Sequence, residues 1–195
     1  MKKLLYAALA ATAAVVVTPA MAQSVSGTVA VTGTVADKCV VTEDGTPPSG
    51  AFGGTVNLGA LDDTDGRLRS SASLSASFAA AGTSNLSYRI VCTTPKTSVT
   101  VDASPLVTGA STQTGYANTV QYNANVAFAL VGGTQTLSND TTAAASATVY
   151  NDRLATGGAT NVSVTADTFR TPGANDILLA GTYNGSIVIT VAPAN

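Results

Sequence analysis

The sequence predicts an all-β protein of the sandwich or barrel type. Apolar residues recur at every second position in several short runs, which is the period of a half-buried strand. Glycine and proline turn signals separate these runs, for example at Gly132-Gly133 and Thr171-Pro172-Gly173. No stretch keeps the period of an amphipathic helix over several turns. Short alternating strands with such punctuation are typical of a single antiparallel domain.

The first 22 residues have the pattern of a secretory signal peptide. Met1-Lys2-Lys3 is basic, Leu4–Val17 is apolar, and Ala20-Met21-Ala22 offers small residues for cleavage. The apolar run of about 14 residues is too short to span a hydrocarbon core as a helix. We therefore expect residues 1–22 to be removed on export. An uncleaved membrane anchor is the less favoured alternative.

A strand-like run from Gln23 to Lys38 opens the mature chain. The residues at its alternate positions are Val25, Gly27, Val29, Val31, Gly33 and Val35. Serine, threonine and alanine fill the positions between them, so a strand here has one apolar and one polar face. Chain ends are usually frayed, so a regular strand at this place needs a sheet to join. That sheet belongs either to the same molecule or to another copy.

The other alternating runs are predicted as strands of one domain, residues 36–195. Their apolar members are Ala72, Leu74, Ala76 and Phe78; Leu86, Tyr88, Ile90 and Cys92; Val99 and Val101; Val126, Phe128 and Leu130; Val162 and Val164; and Tyr183, Gly185, Ile187, Ile189 and Val191. The stretch Thr136–Gly158 is polar and rich in alanine, so we expect it to hold the longest loops. Ala143–Ala147 is a candidate for a short helical turn.

Composition excludes several classes of partner. Without Lys2 and Lys3 the chain has seven basic and eleven acidic residues, a net charge of −4, and it has no basic run. Nucleic acid and anionic lipid are therefore poor partners. No later apolar segment is long enough to cross a membrane as a helix, so we expect no membrane insertion of the mature chain.

The chain has two cysteines, Cys39 and Cys92. An even number of cysteines in an exported chain predicts a disulfide. Closing a loop of about 50 residues would stabilise the fold by about 4 kcal/mol if the effect is mainly on chain entropy. Two free thiols or metal ligands are the alternative, but two cysteines without any histidine make a poor zinc site.

Catalytic equipment is sparse. The absence of histidine excludes Ser-His-Asp and Cys-His arrangements. Asp62, Asp63 and Asp65 form an acidic turn that is either solvated or a weak calcium site, and the spacing of an EF-hand is missing. The remaining aspartates do not mark a pair suited to glycoside hydrolysis. We expect no enzyme activity, no metal and no cofactor.

The two ends of the chain carry the strongest functional signal. The last run, Gly181–Val191, alternates like the first. Each could complete the sandwich of its own molecule. Alternatively, the domain lacks one strand, and the leading strand of a second copy enters the resulting groove and gains main-chain hydrogen bonds and buried side chains.

Four segments in this order resemble a known family. They are Val29-Ala-Val-Thr-Gly-Thr-Val35 followed by Cys39-Val-Val, Asn57-Leu-Gly-Ala-Leu61, Leu86-Ser-Tyr-Arg-Ile-Val-Cys92, and Ala180-Gly-Thr-Tyr-Asn-Gly-Ser-Ile-Val-Ile-Thr-Val191. Together they resemble pilins of the archaic, Csu-type chaperone–usher class within the spore coat protein U domain family. The resemblance spans nearly the whole mature chain.

The resemblance implies an incomplete immunoglobulin-like β-sandwich that a donor strand from a neighbouring subunit completes. Residues 23–35 would be the donor extension, with Val25, Val29 and Val31 filling pockets and with Gly27 and Gly33 at shallow positions. Tyr183, Ile187, Ile189 and Val191 would form the groove strand that first pairs with a periplasmic chaperone, and the disulfide would tie the first strand to the second.

The function implied is that of a pilus rod subunit. Such a subunit passes through an outer-membrane usher, polymerises with copies of itself on the cell surface, and serves adhesion and biofilm formation. The alternative that we retain is a secreted, self-complete β-sandwich that binds sugar or matrix.

Overall fold

The computed structural model describes residues 26–42, 47–82 and 86–195. The predicted signal peptide and Val25 lie outside the described residues. The chain divides into a leading unit that ends at Thr34 and a body, Val35–Asn195. The described residues form eleven β-strands and one α-helix, so the predicted predominance of β-structure is confirmed.

The strands and the helix have the following bounds. They are β1 (Cys39–Val41), α1 (Ser71–Gly82), β2 (Ser87–Tyr88), β3 (Ile90–Cys92), β4 (Lys96–Val107), β5 (Tyr116–Ala117), β6 (Thr119–Leu130), β7 (Gly133–Asp140), β8 (Ser146–Tyr150), β9 (Val162–Arg170), β10 (Ile177–Leu178) and β11 (Asn184–Ala194). All strand pairs are antiparallel except the short pair of β5 and β10.

The main sheet has the strand order β11-β4-β6-β9-β2, with β7 beside β6 and β8 beside β4. Strand β4 pairs with β11 along nearly its whole length. Its other edge pairs with β8 at the start, over Thr97–Val101, and with β6 at the end, at Leu106 and Val107. Strand β4 therefore joins two groups of strands, and residues from both groups contribute to one hydrophobic core.

Strand β6 shows why the alternating pattern predicts strands well. Every second residue of β6 is buried and the residues between are only partly buried. The buried ones are Val120, Tyr122, Ala124, Val126, Phe128 and Leu130. Because successive strand residues point to opposite faces, β6 directs one complete face into the core. Strands β4 and β9 repeat this alternation with Val99 and Val101 and with Val162 and Val164.

The predicted strand over Ala72–Phe78 is wrong, because these residues belong to α1. The buried helix residues are Leu74, Phe78 and Gly82, which lie four apart and share one helix face. Ser70 precedes the helix, and its Oγ accepts a hydrogen bond from the Ser73 amide at 3.3 Å. A spacing of four residues fits both the strand period and the helix period. The alanines and serines between these positions do not distinguish a helix from a strand. In the described part of the chain, no helix is long and apolar enough to cross a membrane.

The prediction of long loops within Thr136–Gly158 is also wrong. Most of β7 and all of β8 lie there, joined by a turn after Asp140 in place of a helical turn at Ala143–Ala147. The Asp140 carboxylate stabilises this turn by accepting hydrogen bonds from the amide of Thr142 at 2.9 Å and from its hydroxyl at 2.7 Å. Most positions of β7 are exposed, and β8 alternates between partly buried and exposed residues without a fully buried one. Neither strand therefore shows the apolar alternation that reveals a strand in sequence.

The predicted disulfide between Cys39 and Cys92 is confirmed. These cysteines are partners in the antiparallel ladder of β1 and β3. Thr93 also holds the residues before β1. Its amide donates to the Lys38 carbonyl at 2.9 Å. Its hydroxyl accepts from the Lys38 amide at 2.9 Å and donates to the Ala36 carbonyl at 3.0 Å. The start of the body is therefore fixed from Ala36 onward.

Candidate functional site

The described part of the leading unit, residues 26–34, forms no strand in the single chain. Its apolar side chains are in solvent, with Val29 86% and Val31 90% exposed. Gly27 and Gly33 are exposed as well, whereas Val25 lies outside the described residues. The donor roles assigned to these residues remain predictions.

The body contains an open groove of about 530 Å³. One wall is the segment Tyr183–Ile189, which includes the start of β11, and the other is the segment between Phe52 and Leu58. Core side chains from α1, β6 and β9 line the space between these walls. They include Phe78, Tyr122, Val164 and Phe169.

Strand β11 leaves the core partly uncovered. In its neighbour β4, Val99 and Val101 are completely buried. The inward residues of β11, which are Ile187, Ile189 and Val191, are only partly buried. Among the described strands, β11 pairs with β4 alone. Because an antiparallel strand directs about half of its backbone groups to each side, one edge of β11 presents unpaired N–H and C=O groups.

The predicted groove residues lie on this wall or directly beside it. Tyr183, Ile187 and Ile189 line the groove, whereas Val191 packs on the core beyond its end. The Tyr183 hydroxyl is a donor within reach of two carbonyl oxygens, that of Ala117 at 3.0 Å and that of Leu179 at 2.9 Å. Burial raises the pKa of Tyr183, so this donor stays protonated at neutral pH.

The opposite wall was not identified from the sequence. Phe52, Val56 and Leu58 are partly buried, and the residues between them are exposed. This is the alternation of a strand, although the segment forms no ladder. The Phe52 ring contacts the Tyr88 ring with centroids 4.6 Å apart, which ties the wall to the core. The Gly53-Gly54 pair conceals the alternation in the sequence. Phe52, Val56 and Leu58 are nevertheless separated by four and by two residues, which places them on one face of a strand and was a usable signal.

Tyr122 occupies a central place in the groove. Its ring stacks on Phe169 with centroids 5.5 Å apart. Its hydroxyl lies 3.0 Å from the Ser104 carbonyl oxygen on β4 and 3.2 Å from the Ser186 carbonyl oxygen on β11. Burial raises the pKa of Tyr122 to about 12, so the hydroxyl is a neutral donor under ordinary conditions.

The acidic turn has a structural role in the fold. Asp63 Oδ1 accepts hydrogen bonds from the amides of Asp65 and Arg67, each at 3.0 Å. Across residues 26–42, 47–82 and 86–195, no group of three or more histidine, cysteine, aspartate or glutamate side chains is placed to hold a metal ion. The two amide contacts make the Asp63 carboxylate a hydrogen-bond acceptor within this turn.

Comparison of the chain with protein-family models, with curated proteins and with solved structures finds no match. The groove, its free strand edge and the exposed leading segment are therefore the features from which a function can be argued.

Proposed function

We propose that this chain is a pilus rod subunit that polymerises by donor-strand exchange. The leading segment of one copy, Val25–Gly33, enters the groove of the next copy beside β11. The observation that carries the proposal is the free edge of β11 next to an open apolar groove, in a chain whose leading residues Val29 and Val31 are exposed.

The two surfaces match in period and chemistry. A strand in the groove would form main-chain hydrogen bonds with the free edge of β11, which is the common mode of strand addition. Its alternate side chains would point between Ile187 and Ile189 on one wall and Val56 and Leu58 on the other. Burying a valine contributes roughly 1.5–2 kcal/mol, so three valines contribute about 5 kcal/mol before the entropy cost of association.

The proposal includes a defined route of assembly. A periplasmic chaperone occupies the groove first, an outer-membrane usher receives the subunit, and the next copy replaces the chaperone strand at the cell surface. The resulting homopolymer serves adhesion and biofilm formation. The disulfide is typical of an oxidising compartment outside the cytoplasm, which is compatible with this route.

The test uses the alternation of the leading segment. Val29→Asp places a carboxylate on the face that enters the groove, and we expect it to abolish fibres in electron micrographs and boiling-resistant ladders on gels. Thr28→Asp adds the same charge on the opposite face, and we expect fibres as in the wild type. Equal assembly of the two variants would overturn the proposal.

A deletion of Gln23–Gly33 gives a second, independent result. If the body lacks a strand, the shortened chain is unstable without a chaperone and cannot donate to a neighbour. A stable, soluble monomer produced without a chaperone would instead identify a self-complete domain, and the donor-strand proposal would then fail.

A further inference from the structure

Two β-bulges meet at Tyr122. The first is in β9, where Gln121 pairs with Arg170 and Asn123 pairs with Asp167. Thr168 and Phe169 therefore stand opposite the single residue Tyr122, as in a bulge. Thr168 has a φ of 54°, an uncommon conformation for a residue with a β-branched side chain. This backbone turn accompanies the stacking of Phe169 on the Tyr122 ring.

The second bulge lies between β4 and β11. Asn184 pairs with Val107 and Ser186 pairs with Ser104, so Pro105 and Leu106 stand opposite the single residue Gly185. A Cβ atom at Gly185 would lie 2.9 Å from the carbonyl oxygens of both Ser104 and Pro105. Only glycine fits this close approach of the two backbones.

Side-chain hydroxyls replace the regular ladder at this bulge. The Ser186 amide donates to Ser104 Oγ at 3.0 Å on the outer face of the sheet. On the inner face, the Tyr122 hydroxyl reaches from β6 to the carbonyl oxygens of Ser104 and Ser186. Tyr122 thus links the core directly to the start of β11 at Ser186, just before the groove residues Ile187 and Ile189.

We infer that Tyr122 is a positioning residue for strand capture: its hydroxyl holds the bulged start of β11 in the place where an incoming strand can pair with it. This inference rests on the proposed function. An edge strand with one free side is held only by its neighbour and by the core beneath it. A pre-positioned edge avoids the ordering cost that a loose edge would add to binding.

The experiment compares fibres of the full chain carrying Tyr122→Phe with wild-type fibres. The variant keeps the ring that stacks on Phe169 and removes only the hydroxyl. We expect fibres to dissociate in detergent about fivefold faster, the change for one hydrogen bond of about 1 kcal/mol. Tyr150→Phe is the matched control, because Tyr150 contacts Phe128 outside the groove, and we expect wild-type dissociation.

Hydrogen exchange separates positioning from general destabilisation. In Tyr122→Phe fibres we expect faster amide exchange confined to Ser186–Ile189 and to the strand seated beside it. Uniformly faster exchange throughout β6 and β9, or dissociation at the wild-type rate, overturns the inference and leaves the groove function intact. Wild-type chains that form no fibres overturn both.

A second variant covers the case in which Tyr122→Phe does not fold. Ser104→Ala removes the hydroxyl on the outer face of the same bulge and leaves the core unchanged. We expect it to raise the dissociation rate in the same direction, with faster exchange at Ser186–Ile189. Wild-type behaviour of Ser104→Ala would show that loosening the bulged start of β11 does not affect strand capture, and this would overturn the inference.

Discussion

The side chain of Asn161 forms two hydrogen bonds with the backbone of Ile90. Its Oδ1 accepts from the Ile90 amide at 2.8 Å, and its Nδ2 donates to the Ile90 carbonyl oxygen at 2.7 Å. The Nδ2 group also donates to the Ala155 carbonyl oxygen at 2.9 Å. Asn161 is buried. Its side chain therefore provides hydrogen-bond partners for the backbone groups of Ile90 at the start of β3, directly after β2 ends.

Replacing Asn161 with alanine should therefore destabilise the body strongly. The change leaves the Ile90 amide and carbonyl groups buried without their partners, which costs about 1–3 kcal/mol for each unsatisfied group. We expect the free energy of unfolding, measured by urea denaturation, to fall by at least about 2 kcal/mol. Asn175→Ala is the control, because Asn175 is exposed and accepts one hydrogen bond, from Arg67 at 2.9 Å. A similar loss in both variants would contradict the prediction.

The disulfide should contribute measurably to stability. Cys39 and Cys92 are separated by 53 positions, and a closed loop of this length corresponds to about 4 kcal/mol in chain entropy. Reduction should therefore lower the urea midpoint of the wild-type chain. The double variant Cys39→Ser/Cys92→Ser should have the low midpoint already and should not respond to reductant. A midpoint that reductant leaves unchanged in the wild type would show that the bond adds no stability.

Asp140 should make the free energy of unfolding depend on pH in the acidic range. Hydrogen bonds from the Thr142 amide, then from the Thr142 hydroxyl and from Arg170, lower the pKa of Asp140 from 3.8 to about 2. A carboxylate whose pKa is lower in the folded state stabilises the fold above its unfolded pKa. That stability is lost as the pH falls from about 4 to about 2.

Asp140→Asn should therefore flatten the dependence of unfolding free energy on pH in this range. Urea denaturation curves collected at several acidic pH values measure this pH dependence of the unfolding free energy. Asp37→Asn removes one carboxylate at an exposed position near the start of the body and is the control for the change in net charge. The same slope in the wild type and in Asp140→Asn would refute the prediction. The contact of Asp140 with Arg170, at 2.7 Å, is partly exposed, so solvent screening weakens it.

The sequence predicts the strands whose residues alternate between core and solvent. It misses the strands without an apolar face, and it assigns the helix wrongly. Strands β4, β6 and β11 were recognised because each directs one apolar face inward. Strands β7 and β8 were missed because they bury almost no side chain fully, and a polar strand resembles a loop in sequence. Helix α1 was mistaken for a strand because Leu74 and Phe78 fit both periods.

The candidate site was predictable only on one side. The alternation of Ile187 and Ile189 identified the β11 wall, whereas the wall at Phe52–Leu58 is strand-like in burial without belonging to a ladder. The sequence carries no functional signal at Tyr122, because its hydroxyl contact with Ser186 depends on two bulges that distant segments create. Long-range contacts of this kind leave no local pattern in a sequence.

Gly185 should be intolerant of any side chain. A methyl group there would lie 2.9 Å from two backbone carbonyl oxygens, and relief requires β11 to move away from β4. We expect Gly185→Ala to lower the free energy of unfolding by about 1–3 kcal/mol, as overpacking does, and to abolish fibres because β11 is the groove wall. Gly109→Ala is the matched control, since no atom lies within 4 Å of its added methyl group. Urea denaturation and electron microscopy measure the two effects. If Gly185→Ala formed fibres like those of the wild type, the groove would tolerate a displaced β11. The close approach of β11 to β4 at the bulge would then not be needed for assembly.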